Sequence, residues 1–96
     1  EIIDLRSLRP LDLPLILNSV KKTGRLIVVE EGFPYASIGC EIATRVMQEA
    51  FDYLDAPVIT IVGKDVPMPY AANLEKLALP QVEEIVTAAK TITYKI

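Results

Sequence analysis

The sequence predicts an α/β fold, a mainly parallel sheet held between layers of helix. Three observations carry this reading. Short apolar, β-branched runs alternate with segments of helical apolar spacing three times over, and a further helix closes the chain. The strand runs are nearly continuous rather than alternating, as in strands covered on both faces. Gly and Pro mark the junctions between them. At 96 residues the chain has room for one domain, with right-handed crossovers setting the hand of each unit.

The first run, Glu1-Ile2-Ile3-Asp4-Leu5, is short, apolar and β-branched, and predicts a strand that Pro10 ends. Leu11-Asp12-Leu13-Pro14 opens a helix, with Asp12 as N-cap and Pro14 in the first turn, where its missing N–H is harmless. Leu15, Ile16 and Val20, with Leu17, form its buried face. Lys21 and Lys22 suit its negative end, and Gly24 stops it. Leu26-Ile27-Val28-Val29 is the second strand. The Gly/Pro loop Glu31-Gly32-Phe33-Pro34-Tyr35-Ala36-Ser37 leads into a helix over 38–53, with Ile38, Ile42, Val46, Met47 and Ala50 at helical spacing and Leu54 beyond. Val58-Ile59-Thr60-Ile61-Val62 is the third strand and Gly63 ends it. The loop 64–70 is stiffened by Pro67 and Pro69. A short helix over 71–77 precedes a last one that starts near Pro80, with Val82, Ile85, Val86 and Ala89 expected inward and Glu83 and Glu84 at its positive end.

Composition limits the function. The chain has no histidine, the commonest general base and zinc ligand, so no serine–histidine or cysteine–histidine pair exists within it. The net charge of −3, without a basic run, argues against a nucleic-acid surface. The apolar stretches fall far short of the roughly 20 residues of a membrane span. A single cysteine, Cys40, cannot form an internal disulfide and fits a reducing compartment. The chain opens directly in an apolar run without a leading Met, which predicts a piece of a longer polypeptide.

Five features invite a functional reading. The turn at Gly32 stands where a phosphate loop would, yet carries neither GxGxxG nor GxxxxGK[ST]. Glu30 and Glu31 would repel a phosphate there. As neighbours at a strand end they point to opposite faces, so they do not form a catalytic pair, and one of them is expected to hydrogen-bond within the loop. Arg6 and Arg9 follow the first strand and suit either an anion or an interface carboxylate, the structural role being favoured. Cys40 opens a helix and reads as a small buried residue rather than a reactive thiol. Finally, Phe33-Pro34-Tyr35 and Met68-Pro69-Tyr70 are two aromatic–proline clusters in loops at one end of the sheet, the composition of a contact surface.

Taken together, several strings resemble one family. Asp4-Leu5-Arg6-Ser7-Leu8-Arg9-Pro10-Leu11-Asp12 is similar to a segment of transketolase-like C-terminal domains. Val29-Glu30-Glu31-Gly32-Phe33-Pro34, Ile38-Gly39-Cys40-Glu41-Ile42 and Leu54-Asp55-Ala56-Pro57 resemble the branch formed by beta subunits of 2-oxo acid dehydrogenases. So does Gly63-Lys64-Asp65-Val66-Pro67-Met68-Pro69-Tyr70-Ala71, which with Pro80-Gln81-Val82 points to the pyruvate dehydrogenase members.

The resemblance implies a three-layer α/β/α domain lacking its first strand and helix, hence a missing neighbouring strand and an exposed apolar face. It implies an enzyme that decarboxylates pyruvate on thiamine diphosphate with Mg and acetylates lipoamide, with the cofactor held by the alpha subunit and an upstream beta domain. This segment then has no catalytic, cofactor or metal residues. The implied partners are the alpha subunit, a second beta subunit in an α2β2 assembly, and the peripheral subunit-binding domain of a dihydrolipoyl acyltransferase; nucleic acid and membrane are not among them. Asp55 and the carboxylate of Ile96 are the implied docking anions, and a basic partner makes that pairing electrostatically sensible. Gly32, Phe33, Pro34, Tyr35, Pro69 and Tyr70 are the implied subunit contacts. Asp55 also suits a plain turn before Ala-Pro, and Ile96 a frayed end. The compartment would be bacterial cytoplasm or mitochondrial matrix. Ala36-Ser37 departs from the family, which often carries glycine there. A branched-chain enzyme and a stand-alone binding module are the alternative readings.

Overall fold

A computed structural model describes residues 1–32, 35–63 and 79–93. Within them helix α1 (Leu13–Thr23), strand β1 (Ile27–Val29), helix α2 (Ile38–Ala50), a 3-10 turn (Phe51–Tyr53), strand β2 (Ile59–Ile61) and helix α3 (Val82–Ile92) follow in order. The caps of α1 match their residues. The Asp12 side chain accepts a hydrogen bond from the Leu15 N–H at 3.2 Å. Gly24 takes a left-handed φ of 76° and its N–H donates to the Val20 carbonyl at 2.7 Å. For α2 the cap is Ser37, whose hydroxyl accepts from the Cys40 N–H at 3.2 Å.

The sheet is parallel, with Ile27 opposite Ile59, Val28 opposite Thr60 and Val29 opposite Ile61. Its pairing runs past β1, since the Glu30 N–H reaches the Ile61 carbonyl and the Gly63 N–H reaches the Gly32 carbonyl, both at 2.9 Å. The two loops leaving the strands therefore start side by side at one end of the sheet.

Helices lie on both faces. On one, Ile16 and Val20 of α1 meet Ile42, Val46 and Ala50 of α2, with Leu26, Val28 and Val58 packed against them. Val46 is completely buried, and burying such a side chain stabilises the fold by about 1.5–3 kcal/mol. Gly39 lets α2 approach closely: a Cβ there would lie 3.2 Å from Thr60 Cγ2 and 3.5 Å from Val28 Cγ1. On the other face α3 contacts both strands, and Ile59, Ile61, Thr87 and Ala88 line an open apolar groove with Glu83 and Glu84.

Several expectations need correction. In α1 Ile16 and Val20 are buried and Leu17 packs against them, but Leu15, one position before Ile16, is 44% exposed. Residues 1–5 are not a strand. A β-branched run becomes a strand only where a ladder partner exists. Here Ile2 stands 99% exposed, while Leu5 packs on the core and Glu1 pairs with Lys22 of α1. Helix 38–53 ends at Ala50, and a 3-10 turn carries the chain on. Cys40 is exposed and Met47 is more than half exposed, because the inward seam runs Gly39, Ile42, Val46, Ala50. Cys40 lies two residues, about 200° of helix rotation, before Ile42.

In α3 the buried residues are Ala88 and Ile92, whereas Val82 is 71% exposed and Ile85, Val86 and Ala89 are also exposed. The helix has turned by about one residue, 100°, from the expected face. The small Ala88 lines the groove together with Ile59 and Ile61. The loop 64–70 and the helix over 71–77 lie outside the described residues.

Candidate docking site around Asp55

Asp55 sits where three pieces of chain meet, the 3-10 turn, the segment after α1 and the end of α3. The 3-10 turn closes with the Leu54 N–H on the Phe51 carbonyl at 3.1 Å, and the next N–H, that of Asp55, donates to the Gly24 carbonyl at 2.7 Å. This bond ties the turn to the end of α1. It also explains Gly24 a second time, since any Cβ there would meet the Asp55 carboxylate. Arg25 follows directly. Its Nη1 lies 3.7 Å from Asp55 Oδ2, and its Nε donates to the Ile92 carbonyl at 2.8 Å. One guanidinium thus spans the turn and the last turn of α3. The Arg25 side chain is 32% exposed and that of Asp55 61% exposed. At such exposure the ion pair adds little stability, and its consequence is orientation.

Asp55 therefore stands accessible on a turn fixed by backbone bonds, which a docking anion requires. Ile96, its expected companion, lies outside the described residues. Sequence reasoning missed Arg25. Its only signal is a position between a helix-stopping glycine and a strand. Arg6 and Arg9 follow residues 1–5, which form no strand, so neither stands at a strand end. Arg6 pairs instead with its near neighbour Asp4 at 3.3 Å, with both side chains largely in water.

At the carboxyl end of the sheet the two acidic neighbours do diverge. Glu30 turns inward and its Oε1 accepts from the Gly39 N–H at 2.9 Å, while Glu31 is exposed. The α2 N-terminus, where a phosphate would bind, is thus already capped by a carboxylate of the same chain. Among the described residues no group of three acidic or cysteine side chains is placed to hold a metal ion. Nor is any described helix long and apolar enough to cross a membrane.

The expected contact loops are partly visible. Gly32 is exposed and Tyr35 is 88% exposed, whereas Phe33, Pro34, Pro69 and Tyr70 lie outside the described residues. Ala36, where glycine was expected, takes a positive φ of 54°.

Comparison with known proteins adds the family context. The model of the transketolase C-terminal domain matches residues 1–85. Pyruvate dehydrogenase E1 component subunit beta of Rhizobium meliloti (strain 1021) is 73% identical over 95 residues, 99% of this chain and 21% of that protein. The subunit of the same name from Rickettsia bellii (strain RML369-C) is 61% identical over 98% of this chain and 29% of its own length. Subunit beta-1 of the mitochondrial protein of Arabidopsis thaliana is 60% identical over 99% of this chain and 26% of its own. The chain thus spans less than a third of these curated relatives.

Proposed function

The chain belongs to the transketolase C-terminal domain family, and we propose that it is the assembly part of a pyruvate dehydrogenase beta subunit. The observation that carries this reading is the 73% identity, along almost the whole chain, to a protein of that name. In the proposal the parent enzyme decarboxylates pyruvate on thiamine diphosphate with Mg and transfers the acetyl group to lipoamide. It acts in the bacterial cytoplasm or the mitochondrial matrix.

The residues described here do not fit that cofactor. The helix end that faces the sheet's carboxyl edge is capped by Glu30, which would repel a diphosphate, and no three-ligand cluster for a cation stands beside it. The proposal therefore assigns the chemistry to the alpha subunit and to an upstream beta domain. It leaves to this segment the contacts that assemble the complex. Gly32, Phe33, Pro34, Tyr35, Pro69 and Tyr70 form the contact between beta subunits of an α2β2 assembly. The exposure of Tyr35, large and aromatic, supports a covered position in that assembly. Asp55 and the Ile96 carboxylate receive the peripheral subunit-binding domain of the dihydrolipoyl acyltransferase. Support comes from the way Asp55 is held at a fixed turn with its carboxylate accessible.

The test places Asp55→Ala, and separately an amidated Ile96, in the full beta subunit assembled with alpha. Affinity for the subunit-binding domain is then measured at two salt concentrations. Truncating one partner of such a pair is expected to weaken binding by about 2–5 kcal/mol. Unchanged affinity in both variants rules the docking assignment out.

A further inference from the structure

We propose that Arg25 is a positioning residue for docking, holding the Asp55 carboxylate and the end of α3 in one fixed arrangement; this rests on the docking role of Asp55 proposed above. The place of Arg25 sets two effects against each other. A cation 3.7 Å from a docking carboxylate should weaken its pull on a basic partner. Yet Arg25 sits in a place prepared for it. Its Nε bond to the Ile92 carbonyl, at 2.8 Å, is partly buried and joins residues 67 apart in sequence. Residue 24 is a glycine in the left-handed conformation that leaves no Cβ against the Asp55 carboxylate, and its carbonyl accepts the Asp55 N–H.

The carboxylate is thus located by two neighbours in sequence, Gly24 through the backbone and Arg25 through the side chain. An exposed aspartate on a turn otherwise samples several rotamers, and a partner must order it on binding. The guanidinium approaches Oδ2 of the carboxylate through Nη1 and uses a different nitrogen, Nε, for the α3 carbonyl. By joining that carbonyl to Asp55, Arg25 also fixes the spacing between the turn and the last turn of α3, the two surfaces a single docked domain would cover together.

The two roles of a nearby cation, competitor and positioner, predict opposite signs. Affinity of the isolated subunit-binding domain is measured on the assembled alpha–beta enzyme carrying Arg25→Gln, Arg25→Lys, Asp55→Asn and the double variant Arg25→Gln/Asp55→Asn. A positioner loses about tenfold in affinity with Arg25→Gln, the scale of one charged hydrogen bond. Arg25→Lys keeps the charge but not the two-nitrogen reach, and also weakens binding. Arg25→Gln adds little to Asp55→Asn, because it acts through the same carboxylate. Should Arg25→Gln not assemble, the Lys variant and its cycle with Asp55→Asn decide alone. Unchanged or tighter binding for the Arg25 variants, with Asp55→Asn still weakened, overturns the positioning role and leaves the docking site standing. Fully additive losses overturn it too, since they describe a cation acting independently of Asp55. Unchanged affinity for Asp55→Asn overturns the docking reading itself, and the positioning role with it.

Discussion

Two backbone positions with positive φ differ in how well their residues suit them. Gly24, at 76°, ends α1 and leaves room for Asp55, so Gly24→Ala combines a left-handed alanine with a clash. The expected loss is about 1–2 kcal/mol in denaturant unfolding, from the backbone alone. Ala36, at 54°, is the reverse case, a side chain in a conformation glycine adopts freely. Ala36→Gly should stabilise the domain slightly or leave it unchanged despite the usual entropic penalty of glycine. A loss comparable to that of Gly24→Ala would contradict this. At the same scale, the Glu1 carboxyl is held below its ordinary value, first by the hydrogen bond from Lys22 and then by one from Ser19. Lowered in the folded state, it contributes stability above its unfolded value, and that contribution fades as pH falls through the folded one. Lys22→Met should return the Glu1 titration towards the ordinary carboxylate range, followed by NMR of the side-chain carboxyl carbon.

Among the elements, α2 shows how a pattern can identify a helix without choosing its seam. Ile42 and Met47 both fit the helical spacing of the sequence, but only Ile42 reaches the core. Ile42→Ala is therefore expected to cost about 2–5 kcal/mol. Met47→Ala, at a half-exposed position, should stay near the few tenths typical of surface changes, within about 0.5 kcal/mol. Equal losses at the two sites, measured by urea unfolding, would place the seam wrongly. In α3 the ambiguity is greater. Val82, Ile85, Val86 and Ala89 form an apolar stripe as good as the one through Ala88 and Ile92 that is buried. Periodicity cannot rank two apolar faces of one helix. The choice falls to the side that contacts the strands, where Ala88 shares a groove with Ile59 and Ile61.

For the molecule as a whole, local chemistry was the readable part. Asp12, Pro14 and Gly24 shape α1 through neighbours a few residues away, and the runs around Val28 and Ile59 carry their strand character in their own composition with a helix between them, so the sequence by itself determined α1 and its caps, the parallel sense of two apolar strands, and the alternation that makes this an α/β fold. The strings around Glu30, Asp55 and Gly63 likewise identified the family from residues alone. What only the tertiary structure decided depends on distant partners. Residues 1–5 have strand propensity but no described ladder partner, and they lie against α1 instead. The inward face of α3 and the exposure of Cys40 follow from which surfaces meet. Arg25 had no legible role until the fold set its guanidinium between Asp55 and a carbonyl 67 residues further on, because a contact of that sequence separation leaves no local periodic trace.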